Sequence, residues 1–108
     1  MPRSGYASDM DELYQAEWCP FSQRVRQRFT ELGVSFIARQ VPADPGEREE
    51  LRRKTGSDEI PALLLEDGTA ISGDTDRIIA HLDSRHNERV DATAHREQAA
   101  EHSGTGVD

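Results

Sequence analysis

Apolar positions are confined to the middle of the chain. From Leu13 to Leu82 they recur in short ordered groups, and beyond His86 only Val90, Val107 and scattered alanines interrupt a polar stretch. Leu13-Tyr14-Gln15-Ala16 reads as a first strand. Phe21, Val25, Phe29 and Leu32 then fall at spacings of four, four and three, one apolar stripe of an amphipathic helix. Gly33 ends that helix in the left-handed capping role. The stretch 34–38 (Val-Ser-Phe-Ile-Ala) is rich in strand formers and predicts a second strand. Asp44 as N-cap, Pro45 at the first helical position and Glu47 three residues after the cap start a second helix over 47–54. Leu51 is its one clear anchor, so this helix is expected to stay largely in solvent. Segments 62–65 and 69–71 flank Glu66-Asp67-Gly68, whose Asp-Gly pair favours a tight hairpin turn. Ser72-Gly73-Asp74-Thr75 caps a last helix that turns Ile78, Ile79 and Leu82 to the core. The order βαβ, helix, hairpin, helix predicts a four-stranded mixed sheet of α/β class, with two parallel strands from the βαβ unit and two antiparallel ones from the hairpin.

This pattern divides the chain into residues 1–10 as a flexible start, a working domain over 11–86, and a polar tail over 87–108. The tail has alanine and glutamate enough to extend a helix but little to bury. Disorder is the expectation, because ordering a residue costs roughly 1–2 kcal/mol that burial must offset. A domain of about 75 residues lies near the small end of what folds alone. Thirteen Lys+Arg against twenty-one Asp+Glu leave a formal charge of −8, the wrong sign for a non-specific nucleic-acid binder. No apolar run approaches the roughly 20 residues that span a bilayer, and the first ten residues lack the apolar stretch of a secretory signal. A cytoplasmic monomer is the expectation.

One cysteine is present, Cys19, so neither an internal disulfide nor a multi-cysteine zinc site can form. It lies between the first strand and the first helix, with Pro20 as the opening helical residue. A sulfur there meets unsatisfied N–H groups and the positive end of the helix dipole, which favour the thiolate. Ser22, one turn on, can hydrogen-bond the sulfur but cannot act as a resolving thiol. Arg24 and Arg26 add charge on the same helix, although the apolar stripe points them elsewhere. His81, His86, His95 and His102 have no partner at a metal-binding spacing and are read as non-catalytic; no metal site is expected.

The segment Trp18-Cys19-Pro20-Phe21-Ser22-Gln23-Arg24-Val25 resembles the active site of glutaredoxins. It is also similar to the Cys-Pro-Phe-Ser/Ala forms of omega-class glutathione transferases, dehydroascorbate reductases and chloride intracellular channel proteins. Two further segments match in order: Glu59-Ile60-Pro61, placed like the cis-proline element of thioredoxin-like folds, and Ile71-Ser72-Gly73-Asp74-Thr75-Asp76, similar to the turn that holds the γ-glutamyl end of glutathione. The resemblance covers about residues 12–84 and implies a thioredoxin-like fold, glutathione or a related small thiol as co-substrate, and no tightly bound cofactor. It assigns Cys19 and Ser22 to the chemistry, and Pro20, Phe21, Ile60, Pro61, Asp74, Thr75 and Asp76 to substrate binding. A cis Ile60–Pro61 bond would present the Ile60 backbone to an extended ligand, whereas a trans proline would simply start an edge strand. The N–H groups of Asp74 and Thr75 suit a carboxylate, and either Asp74 or Asp76 suits an ammonium.

The chain departs from this family pattern in two respects. Ala16 stands where glutaredoxins usually carry a lysine, and Glu17 beside the cysteine would raise its pKa. Arg52, Arg53 or Lys54 could replace the lost contact to the glycyl carboxylate, although a solvated basic face is the simpler account of that trio. The all-helical second domain of a glutathione transferase has no counterpart in these residues. The expected activity is that of a monothiol glutaredoxin, acting on glutathione mixed disulfides, glutathionylated proteins among them. One alternative is a non-enzymatic module with a vestigial thiol site. Another is an iron–sulfur carrier, which typically has glycine in place of Pro20.

Overall fold

The computed structural model describes residues 10–102. Its centre is β1 (Glu12–Gln15), whose alternating side chains feed two cores: Leu13 enters one and Tyr14 the other. β1 leads into helix α1 (Pro20–Leu32) and then strand β2 (Ile37–Gln40). A 3-10 turn (Pro45–Glu47) and helix α2 (Glu49–Thr55) follow, then the hairpin of β3 (Ala62–Leu64) and β4 (Ala70–Ser72), helix α3 (Thr75–Arg85) and helix α4 (Ala92–His102). Strand order is β2-β1-β3-β4. β1 and β2 are parallel, β1–β3 and β3–β4 antiparallel, with Leu13 opposite Leu63 and Leu63 opposite Ile71. This is the four-stranded mixed sheet that the element order predicts, in the thioredoxin-like arrangement that the resemblance implies.

One sheet face carries the main core. Leu13, Leu63 and Ile71 pack under Val25, Phe29 and Leu32 of α1 and Ile78 and Leu82 of α3. On the other face Leu51 joins Tyr14 and Ala62. Leu51 is fully buried, and such a leucine contributes about 1.5–3 kcal/mol, which anchors α2 although the rest of its surface is polar.

Three local expectations change. Phe21 leaves the apolar stripe, and Ser22 takes the buried place in the first turn of α1. The second strand begins at Ile37 rather than Val34: Val34 and Phe36 serve the main core, Phe36 stacking on Phe29 with ring centroids 4.3 Å apart, and the edge strand itself is mostly exposed. The capping signal at Asp44 starts the 3-10 turn, its carboxylate accepting the Gly46 N–H, and α2 starts only at Glu49. Between them Arg48 turns inward and is buried, its guanidinium donating to the carbonyls of Pro42, Ala43 and Asp58. The hairpin turn forms as expected, with the Gly68 N–H on the Leu65 carbonyl.

The tail expected to be disordered instead forms α4 within the described residues. Of its side chains Ala92 is buried, and charge supplies the rest. Glu31 accepts from Arg28 at 2.6 Å and Arg96 at 3.0 Å, while Glu88 takes Arg28 at 2.7 Å and Arg96 at 2.9 Å. Arg28 also reaches Asp83 at 2.7 Å, and the Arg89 N–H donates to the Glu31 carbonyl. Several paired charges around a shielded carboxylate hold a helix that apolar area could not. The expected flexible start and the last six residues of the tail lie outside the described residues, save Met10.

Candidate functional site

Cys19 is the N-cap of α1, with extended backbone (φ −80°, ψ 119°) and Pro20 directly after it. Proline there gives up an N–H that no helix carbonyl would have met. The sulfur takes the place that a serine or aspartate oxygen fills in ordinary caps: Sγ accepts the Ser22 N–H at 3.4 Å. The Cys19 N–H donates to the Ala16 carbonyl at 3.1 Å, and the Ala16 N–H reaches the Ser22 hydroxyl at 3.5 Å, so the loop closes on itself. Burial pushes the Cys19 thiol up, but the Ser22 hydroxyl, the N–H groups of Ser22 and Phe21, and the charge of Arg26 outweigh it, and the thiol lies below its ordinary value.

The residue is only 6% exposed, yet it is not sealed. It forms part of the wall of a cleft of about 750 Å³. Pro20 and Phe21 continue that wall, Ile60 stands on a second side, and Asp74, Thr75 and Asp76 line a third. Trp18 and Phe21 flank the thiol with 66% and 56% of their surface exposed. The Ile60–Pro61 bond is cis. Ile60 enters no backbone hydrogen bond among the described residues, whereas the buried Pro61 accepts the Gly73 N–H at 3.0 Å. That bond ties the proline loop to the start of α3. Gly73 sits at φ +68° directly under the Glu59 side chain. Asp74 caps α3 by accepting the Arg77 N–H at 3.1 Å, and Asp76 pairs with Arg24 at 3.1 Å. Seven of the nine residues proposed from the sequence therefore line one cleft, while Ser22 and Pro61 stand immediately behind it.

The cations fall differently from the sequence reading. Arg24 lines the cleft, and Arg26 stabilises the thiolate while it holds Gln15 and Glu17. Glu17 is engaged by Arg26 at 3.3 Å, and the thiol next to it lies below its ordinary value. Arg52, Arg53 and Lys54 do not line the cleft; Arg52 donates to the carbonyls of Pro45 and Gly46. Arg48 does line it, along with Asp58 and Glu59. Sequence reasoning missed Arg48, which belongs to no local pattern and reaches the cleft only through the tertiary loop arrangement, and it gave Glu59 no role although the residue opens the Glu59-Ile60-Pro61 segment. No cluster of three or more His, Cys, Asp or Glu suited to a metal ion occurs among the described residues, and none of their helices is long and apolar enough to cross a membrane.

Residues 13–90 match the family model described as glutathione S-transferase, N-terminal domain. Glutaredoxin 3 of Escherichia coli K12 is 30% identical over 55 residues, which are 51% of this chain and 66% of that protein. The structure of Glutaredoxin 2 from Salmonella typhimurium in complex with glutathione superimposes with a TM-score of 0.62 at 21% identity, over 70% of this chain and 34% of the other. A diazinon-metabolizing glutathione S-transferase of the silkworm Bombyx mori gives 0.62 at 26% identity, over 70% and 38%. The chain thus spans little more than a third of those two solved proteins.

Proposed function

This chain belongs to the glutathione S-transferase N-terminal domain family, and on that premise we propose that it is a monothiol thiol–disulfide oxidoreductase of glutaredoxin type, with 11–86 as its catalytic unit. The observation that carries the reading is the Cys19 sulfur at the head of α1, held toward the thiolate by Ser22, Phe21 and Arg26 and open to a cleft. Thiolate is the nucleophilic form, and helix starts beside cations are where it is favoured. The Cys19 thiolate attacks the glutathione sulfur of a mixed disulfide. The new Cys19–glutathione disulfide forms as the old bond breaks, and the partner leaves as a thiolate that takes a proton from water. A second glutathione thiolate then attacks the bound glutathione sulfur, producing oxidised glutathione and restoring Cys19. A related small thiol would serve by the same steps.

The walls of the cleft suit the ligand. Among the described residues the backbone N–H and C=O of Ile60 meet no backbone partner, which leaves them for an extended peptide. The N–H groups of Asp74 and Thr75 at the start of α3 suit the γ-glutamyl carboxylate. Asp76 is occupied by Arg24, which leaves Asp74 as the better partner for the ammonium. Arg26 takes over the electrostatic role of the lysine that Ala16 replaces, which favours the enzyme over a vestigial thiol module. The test is reduction of a glutathione mixed disulfide by wild type and Cys19→Ser. Loss of turnover in the variant is expected, and equal rates would reject the mechanism.

A further inference from the structure

The charge balance of the cleft speaks to the leaving half of the mixed disulfide, on the reading just proposed. Four carboxylates line the cleft, Asp58, Glu59, Asp74 and Asp76, against two guanidiniums, Arg24 and Arg48. Both guanidiniums are already engaged within the chain. Arg48 gives its Nε to the Pro42 carbonyl at 2.8 Å and its Nη atoms to Asp58 and Ala43 at 3.0 and 3.1 Å. Arg24 is paired with Asp76. Asp58 faces Arg52 at 3.5 Å, and Asp74 caps α3. Glu59 is different: its exposed carboxylate has no ion-pair or hydrogen-bond partner among the described residues, and it lies across Gly73 at the cleft wall. The exposed rings of Trp18 and Phe21 are the second observation. Their π faces attract cations, and their area beside the thiol suits a polypeptide rather than a small thiol.

We infer that Glu59, with Trp18 and Phe21, makes this cleft select mixed disulfides whose protein half carries a lysine or arginine next to the disulfide cysteine. The carboxylate attracts the cation, the rings pack on its aliphatic stem, and acidic flanks are repelled. Cys19 still attacks the glutathione sulfur, so the bonds made and broken are those given above, and glutathione remains the reductant. An exposed charge pair shifts an equilibrium by up to about fivefold, and reversal of its sign acts in the opposite direction.

The experiment uses three glutathionylated peptides that differ only in the residue beside cysteine, Lys, Gln or Glu. The full chain reduces them with glutathione as reductant, and kcat/KM is measured at low and high salt. The Lys peptide should exceed the Glu peptide by about three- to tenfold, with Gln between. Salt should shrink that ratio, since charges beyond about 10 Å are screened at 0.1 M. Glu59→Gln should at least halve it. A flat or reversed ranking overturns the inference, as does a ranking that neither salt nor Glu59→Gln changes. Turnover of the Gln peptide that needs Cys19 keeps the parent reading standing when the ranking is flat. Absence of turnover with all three peptides removes both.

Discussion

Replacement of Gly73 by alanine probes how the proline loop and the start of α3 are fitted together. At φ +68° an added Cβ would overlap Glu59 Oε1 and lie 2.9 Å from Glu59 Cδ and 3.0 Å from Glu59 Cβ. Two costs follow. A left-handed backbone costs a non-glycine residue about 1–2 kcal/mol, of which the stiffer unfolded chain returns about 0.4–1 kcal/mol. Displacement of Glu59 from its rotamer adds about 0.5–1.5 kcal/mol, and its Cβ cannot swing away as the carboxylate can. The expected net loss is about 2 kcal/mol within a range of about 0.5–3 kcal/mol, and the central value corresponds to a fall in melting temperature of about 8–16 °C for a domain of this size. Gly33→Ala is the matched control: its φ is +69°, but the new Cβ meets only Arg89 at an ordinary 3.6 Å. Urea unfolding of both variants, each with and without Glu59→Ala, separates backbone strain from overlap. Gly73→Ala should lose more than Gly33→Ala, and Glu59→Ala should restore part of the difference only at Gly73. Equal losses at the two glycines, with no relief from Glu59→Ala, would refute the packing account.

Two further outcomes are expected. Ser22→Ala removes the hydroxyl that favours the thiolate, so the alkylation rate of Cys19 should reach half its maximum at higher pH than in wild type; an unshifted profile would deny Ser22 that role. Because the folded thiol lies below its unfolded value, its ionisation adds stability above the unfolded pKa, and that contribution fades as pH falls through the folded one. Where α4 meets α1, the guanidiniums of Arg96 and Arg28 hold the Glu88 carboxyl down at about 2, and Glu31 is lowered against its own burial by Arg28, Gln27 and Arg96. The stabilisation from Glu88 is therefore complete above its ordinary 4.5 and is lost as pH falls toward 2. Amide exchange should show α4 loosening in that window before α1 and β1 do; protection that survives near pH 2 would mean the ion pairs are not what holds it.

The legible part of this protein is the part written in short-range rules. Cys19-Pro20 marks a helix start because a cap needs only an acceptor and a residue without an N–H. Leu13, Val25, Phe29, Leu63, Ile78 and Leu82 announce the main core by their spacing, and all six are buried together. Phe21 fails the same rule, since the first turn of α1 borders the cleft and its outer side meets no neighbour there. Val34 and Phe36 look like strand residues because burial and strand pairing ask for the same side chains; parallel pairing begins at Ile37 opposite Glu12.

What the residues settle unaided is the order of elements from β1 to α3, a lone cysteine at the head of α1 and the composition of the main core, since propensity, capping and periodicity act over a few positions. Tertiary structure decides the rest. Arg48 reaches the carbonyls of Pro42, Ala43 and Asp58 from a buried position, Arg26 comes to act on Cys19, and Arg96 of α4 and Glu88 just before it are held by Glu31 and Arg28, more than fifty residues away along the chain. Electrostatic partners of this kind leave no periodic mark in a sequence. Coulomb energy depends on separation in space, and only the folded chain sets those separations.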